Sequence, residues 1–323
     1  MNMDSPEVDS IIFTGIRLVY ADSTMAAMDE FKKLIDLFPD KPIGYFYSCA
    51  ALQNMMDDHR NYTYQDEFNQ YLNQAIKAGE DGKKKGNLTA YDYLYYGGAI
   101  GFRGIHEALT GDWVGGFVDG LKGRNYLVKA LEIDSTLYDV YYGLGSYHFW
   151  RSLKSKAFWW LPFIGDNRQK GIEMIKLTIE KSKYAKKDAE LALIRIWVEN
   201  KEYDKAFNMI DKLSNIYSDK PFLLWLYGRA QFETNMYSGA IQTYQKLLKA
   251  LASSPYYNPA GEVECRYDLA QAYYCNKDFQ NCSTQVDTIF TFQKYSDQDK
   301  NIKDFIHKAG DLKNKIKKGS KGG

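Results

Sequence analysis

Apolar positions in the C-terminal third of the chain recur at helical spacing and in a repeated register. The segments "NKEYDKAFNMIDKL" (200–213), "TNMYSGAIQTYQKL" (234–247) and "NKDFQNCSTQVDTI" (276–289) can be laid over one another. Each carries an aromatic at its fourth position, Tyr203, Tyr237 or Phe279, and a small residue three later, Ala206, Ala240 or Cys282. Apolar residues follow four and seven positions after the small one. Such spacing gathers the apolar side chains on one face of an α-helix and leaves the rest to water. With only 7 prolines, the chain has few helix breakers.

The first two copies are offset by 34 residues and the third by 42. A period of 34 with two helices per unit is the tetratricopeptide pattern. "FPDKP" (38–42) and "YSDKP" (217–221) each close a second helix and open the next first helix. There Asp suits a cap and Pro suits a first turn. Gly145 and Gly228 fall where the first helix of a repeat needs a small residue at the crossing. The predicted fold is all-α, a right-handed tetratricopeptide-like α-solenoid of about seven helix pairs with a C-terminal capping helix. First helices are expected near residues 7, 42, 89, 136, 187, 221 and 261, and second helices near 23, 63, 111, 166, 202, 237 and 278. One solenoid over 1–317 is expected, with divergent repeats over 7–182 and regular ones over 187–295. A cap follows at 297–317 and a disordered basic tail at 318–323; a solenoid needs such a polar terminal face.

Glycines mark the middle of the chain. Gly97, Gly101 and Gly104 share one helix face, and Gly116, Gly120 and Gly123 repeat the spacing. Each glycine inside a helix costs about 1 kcal/mol relative to alanine. Two matching smooth faces would offset that by letting two helices approach backbone to backbone. No Gly-rich phosphate loop is formed, since no "GKS" or "GKT" follows.

Charge narrows the function classes. The 42 basic and 41 acidic residues leave a net +1, without the electrostatic footprint of a nucleic-acid binder. No apolar run reaches the roughly 20 residues needed to cross a bilayer. The opening "MNMDSPEVDS" lacks the basic start and apolar stretch of an export signal. This leaves cytoplasmic residence, or export with a signal already removed. Cys49, Cys265, Cys275 and Cys282 form no C-x-x-C pair and read as small buried residues. His59, His106, His148 and His307 are scattered, with no H-E-x-x-H, G-x-S-x-G or P-loop. His106 and His148 read as polar or core helix residues. No catalytic residue, metal ligand or cofactor is therefore assigned.

The fourth repeat is interrupted. Gly145 and Gly171 are 26 apart where regular repeats have twelve, so 14 extra residues separate its helices. That insertion, 153–165, holds "KAFWWLPFIG" with Phe158, Trp159, Trp160 and Phe163. It is too short to span a membrane. It could pack on the scaffold, meet a partner, or make peripheral membrane contact through 157–164. "LYYGGAIGFRG", "LEIDSTLYDVYYGLGSYHFW" and "WWLPFIGDNRQKGIEMI" resemble an uncharacterised group of bacterial tetratricopeptide-repeat proteins, many of them exported or envelope-associated. The last segment is also similar to the eukaryotic tetratricopeptide family of inclusion-body and lipid-droplet clearance proteins. Neither resemblance implies an enzymatic activity, and the chain departs from exported members in showing no signal sequence.

In this architecture first helices line the concave side. The position three before each small crossing residue gives Phe46, Tyr95, Tyr142, Leu191, Trp225 and Tyr267. Neighbouring positions add Arg103, Trp150, Arg195 and Arg229. Aromatics and Arg are enriched at binding hot spots. The expected function is a non-enzymatic scaffold holding a protein or peptide segment in this groove. The alternative is a binding protein for a small or lipid-like ligand in an aromatic cavity closed by 153–165. Core packing between repeats would use the same aromatic residues.

Overall fold

The computed structural model describes residues 3–155, 165–217 and 220–319, and among them the regular secondary structure is helical. Fifteen α-helices follow in order. They are α1 (Pro6–Tyr20), α2 (Thr24–Leu37), α3 (Ile43–His59), α4 (Gln65–Lys85), α5 (Ala90–Leu109), α6 (Trp113–Ile133), α7 (Val140–Ser155) and α8 (Arg168–Lys181). Then come α9 (Lys186–Glu199), α10 (Tyr203–Tyr217), α11 (Pro221–Glu233), α12 (Tyr237–Ser253), α13 (Pro259–Cys275), α14 (Phe279–Phe290) and α15 (Lys300–Gly319). Each begins within about four residues of its expected start, because a repeat's register is set by short-range apolar spacing. α10, α12 and α14 begin at the repeat aromatics Tyr203, Tyr237 and Phe279. Their small and apolar register positions, from Ala206 and Ile210 to Val286 and Ile289, are all buried.

The described residues form two compact units. Unit 1 comprises residues 1–53 and 64–196; unit 2 comprises 54–63 and 197–323. Two of the three divisions fall inside α3 and α9, and the third lies between α3 and α4.

In unit 1, Val8, Ile12, Ala27, Phe31 and Leu34 join Ile43, Tyr95 and Tyr184 in one core cluster. A second cluster holds Ala90, Leu127, Ala130, Val140 and Leu144. The glycine faces meet through Gly97, Gly104, Gly116 and Gly123, whereas a Cβ on Gly101 would point into open space and one on Gly120 would face Tyr147 of α7. A Cβ on Gly97 would come within 2.9 Å of the Gly123 carbonyl oxygen, and one on Gly116 within 2.7 Å of that of Gly104. α5 and α6 thus pack antiparallel, backbone to backbone, along these residues. Gly145 and Gly171 do the same for α7 and α8: a Cβ on Gly145 would lie 2.8 Å from the Gly171 oxygen. Asp139 is buried and accepts backbone N–H bonds from Lys183, Tyr184 and Ala185 at 3.0, 2.7 and 2.8 Å.

In unit 2 the core runs through α11 to α15, from Leu224, Tyr244 and Leu247 to Val263, Leu269, Val286, Ile302 and Ile306. Gly228 faces the ring of Tyr244, 2.6 Å from where a Cβ would sit. α11 starts at Pro221 as read, but its N-cap is Lys220 and makes no side-chain cap bond; Asp219 lies outside the described residues. Cys49, Cys265 and Cys282 are buried, whereas Cys275, expected inside, is exposed because it ends the last turn of α13.

Residues 54–63 depart from a solenoid in which each repeat touches only its neighbours. The Asp58 carboxylate accepts from Lys220 Nζ at 2.6 Å, and the Asp58 carbonyl accepts from Trp225 Nε1 at 3.1 Å. Arg60, in the left-handed region at φ 54, stacks 4.6 Å over the Trp225 ring and pairs with Glu264 at 3.1 Å. Asn61 donates to the Tyr256 carbonyl at 3.1 Å.

Candidate functional site

The sequence-derived residues in unit 1 fall into separate groups. Tyr95 is only 2% exposed, beside the half-buried Phe46 with ring centroids 5.3 Å apart. Phe46 also stacks on Phe102 at 5.6 Å, and Tyr95 shares a 3.4 Å hydroxyl contact with Tyr47. Burial raises the Tyr95 phenol well above its usual range. Arg103 is bound at both ends of its fork by Asp119, Nη2 donating at 3.0 Å, so its charge is matched inside the α5–α6 pair. Tyr142 is half-buried. Trp150 is half-buried, edge-on to Phe149, and carries the exposed Arg195 guanidinium 5.1 Å above its ring.

In unit 2, Trp225 is buried under Arg60 and hydrogen-bonded to Asp58, so the chain's own residues 58–60 cover it. The exposed Arg229 is held between Glu199 at 2.7 Å and Glu233 at 2.8 Å. Tyr203 donates to the same Glu233 at 2.5 Å. Tyr267 is half-buried, 5.5 Å from Phe305 of α15. Below it, the partly buried Asp268 has its carboxyl pushed up to about 7, by burial first and then by Glu264, against Arg60, Lys308 and Arg229. The insertion residues Phe158, Trp159, Trp160 and Phe163 lie outside the described residues.

A surface that the sequence reading passed over stands out in unit 1. Ile105 and Leu109 of α5, with Trp113, Val114, Phe117, Val118 and Leu121 of α6, are all exposed, Leu109 at 76% and Val114 at 77%. On α6 these positions follow i, i+4 and i+8 steps, the spacing of one helix face. The antiparallel pairing through Gly104 and Gly116 turns the apolar sides of α5 and α6 the same way. Arg151 of α7 lies 5.8 Å over the Phe117 ring and borders the face with charge. A patch on the order of several hundred Å² matches the surfaces that monomers use for association. The signal was present in "DWVGGFVDGL": Val114 and Val118 lie across the helix from Gly116, with Trp113 and Phe117 on its flanks.

Among the described residues no group of His, Cys, Asp and Glu is arranged to hold a metal ion, and no helix is long and apolar enough to cross a membrane.

No protein-family model matches the sequence, and no curated protein matches it. Solved structures do. A chain of the APC/C hetero-tetramer Cut9–Hcn1 superposes with a TM-score of 0.59 at 14% identity, over 94% of this chain and 49% of that one. This chain therefore spans about half the length of that match. The C-terminal part of a TPR repeat-containing protein from Cytophaga hutchinsonii gives a TM-score of 0.47 at 17% identity, over 91% of this chain and 99% of that one. The human IFIT1 dimer with m7Gppp-AAAA gives 0.47 at 17%, over 99% and 73%. The fold is thus an all-α helical repeat of the tetratricopeptide type.

Proposed function

We propose that this chain is a non-enzymatic interaction scaffold that binds a protein or peptide segment. The observation that carries the reading is the exposed apolar side of α5 and α6 around Trp113, Val114 and Phe117. Holding these side chains in water is unfavourable by about 25 cal/mol per Å² of apolar surface, a term that a docked segment recovers. The segment it suits carries apolar side chains at helical spacing together with acidic groups, which would meet Arg151 at the border of the face. The sequence-derived groove enters this reading through Trp150 and Arg195, where a cation rests on a half-buried ring. Aromatic and Arg side chains of this kind are the usual anchors of such contacts.

The test is affinity capture from native-source lysate with the full chain and with a Val114→Ser, Phe117→Ser variant of unchanged helicity. Any captured protein is then purified and titrated directly. A partner held by the wild type and weakened at least tenfold by the variant supports the reading. Equal binding by both, or no captured protein, overturns it.

A further inference from the structure

In unit 1, four basic side chains stand on α6, α7 and α8, close enough for three of them to act on the fourth, His148. His148 of α7 is 9% exposed, and its Nδ1 has no hydrogen-bond partner among the described residues. One turn on, Arg151 has its Nε buried and also without a partner among the described residues. The Arg151 guanidinium is flanked by the rings of Phe117 and Tyr147, each 5.8 Å from its carbon. Tyr147 in turn rests on α6 at Gly120, where a Cβ would lie 3.6 Å from its ring. The Gly145–Gly171 crossing brings the first turn of α8 against this part of α7: a Cβ on Gly171 would lie 2.8 Å from the Phe149 nitrogen. Lys170 stands next to that contact and is exposed. Arg124, a turn beyond Gly120, donates to its neighbour Asn125 at 3.0 Å.

Burial is the first cause holding the His148 imidazole below its usual range, followed by the charges of Lys170, Arg124 and Arg151. Three carboxylates on or beside these helices have other partners. Asp119 binds Arg103, Asp166 binds Arg168, and Glu173 binds Gln169 and Lys176. An unpaired buried donor or acceptor costs about 1–3 kcal/mol, and like charges gathered without a counter-ion repel. One doubly charged oxyanion would answer both: it would accept from His148 and Arg151 and be neutralised by Arg124 and Lys170.

We propose that Arg124, His148, Arg151 and Lys170 form a binding site for a phosphate group. The site goes beyond the apolar face: it shares Arg151 with the border of that face but does not depend on a partner docking there. The shared ligand chemistry is a tetrahedral dianion, borne by free phosphate or by a phosphorylated side chain.

The experiment follows the His148 imidazole by NMR in the full chain while inorganic phosphate is added, with sodium chloride at matched ionic strength as control. Bound phosphate is expected to raise the His148 titration midpoint by about one unit and to saturate. Arg151→Gln and Lys170→Gln are each expected to weaken binding roughly tenfold. A peptide with one phosphoserine, titrated beside its unphosphorylated form, separates the sources. Tighter binding than inorganic phosphate assigns the site to a phosphorylated segment, and equal binding assigns it to the free ion. A His148 response no larger than that to chloride overturns the proposal. So does unchanged phosphate affinity in both variants with their helicity intact.

Discussion

Asp58 and Lys220 form an ion pair with N to O 2.6 Å, and their side chains are only 4% and 5% exposed. The pair ties a residue at the end of α3 to the N-cap of α11. The second Asp58 carboxylate oxygen, Oδ1, has no partner among the described residues. A buried pair gains little over apolar residues of similar size, yet removing one member strands the other charge. Lys220→Met is therefore expected to destabilise the protein by about 3–5 kcal/mol in chemical denaturation followed by circular dichroism. The Asp58→Leu, Lys220→Met pair is expected to recover most of that loss. Equal stability of the single and double variants would show that the charge pairing is not what Lys220 contributes.

Gly261 and Gly101 predict opposite outcomes for the same substitution. A Cβ on Gly261 would lie 2.4 Å from the His59 carbonyl oxygen, a backbone atom that cannot swing away. Gly261→Ala is expected to cost about 1–3 kcal/mol and to speed hydrogen exchange over residues 54–63. Nothing lies within 4 Å of a Cβ on Gly101, which sits inside α5. Gly101→Ala is expected to stabilise by about 0.5–1 kcal/mol. Both are read from the denaturation midpoint.

Asp268 gives stability a pH dependence. Its carboxyl titrates near 7 in the fold, above the value of 3.8 for a free side chain. The folded state therefore holds the proton more tightly than the unfolded chain, and this residue's contribution to stability falls as pH rises from about 4 through 7. Asp268→Asn removes the penalty of the buried charge. The variant is expected to be more stable than wild type by about 1 kcal/mol or more at pH 8, with the gain shrinking toward pH 4. Thermal unfolding of both proteins at pH 5 and pH 8 checks it; a gain independent of pH would contradict the titration.

Helix positions were legible because they depend on near neighbours. Tyr203, Ala206, Ile210 and Leu213 announce α10 by themselves, and Gly145 and Gly171 announced their crossing across an insertion. Trp225 shows where such reasoning ends. Its spacing from Gly228 marks it as an exposed groove position, but the residue is buried, and its surroundings are set by Asp58 and Arg60, more than 160 positions earlier. No local spacing encodes that contact. The Arg151–Phe117 and Arg195–Trp150 stacks are of the same kind, each uniting different helices. The apolar face of α6 was readable in principle, since Trp113, Phe117 and Leu121 follow helical spacing. Its exposure was not, because a helix face is apolar whether it meets a neighbour or water.

An array whose repeats touch only their neighbours can be trimmed at any repeat boundary, and its stability declines by increments. Residues 54–63 withdraw that freedom from unit 2. Asp58, Arg60 and Asn61 are synthesised long before Trp225, Tyr256 and Glu264, so the unit cannot be completed until the chain has looped back to them. Closing so long a loop carries an entropic cost that short-range helix pairing avoids. A fragment beginning at residue 197 would contain every helix from α10 onward and still lack the segment that covers Trp225. The repeat, the natural module of such sequences, is thus not the module in which this half of the protein folds.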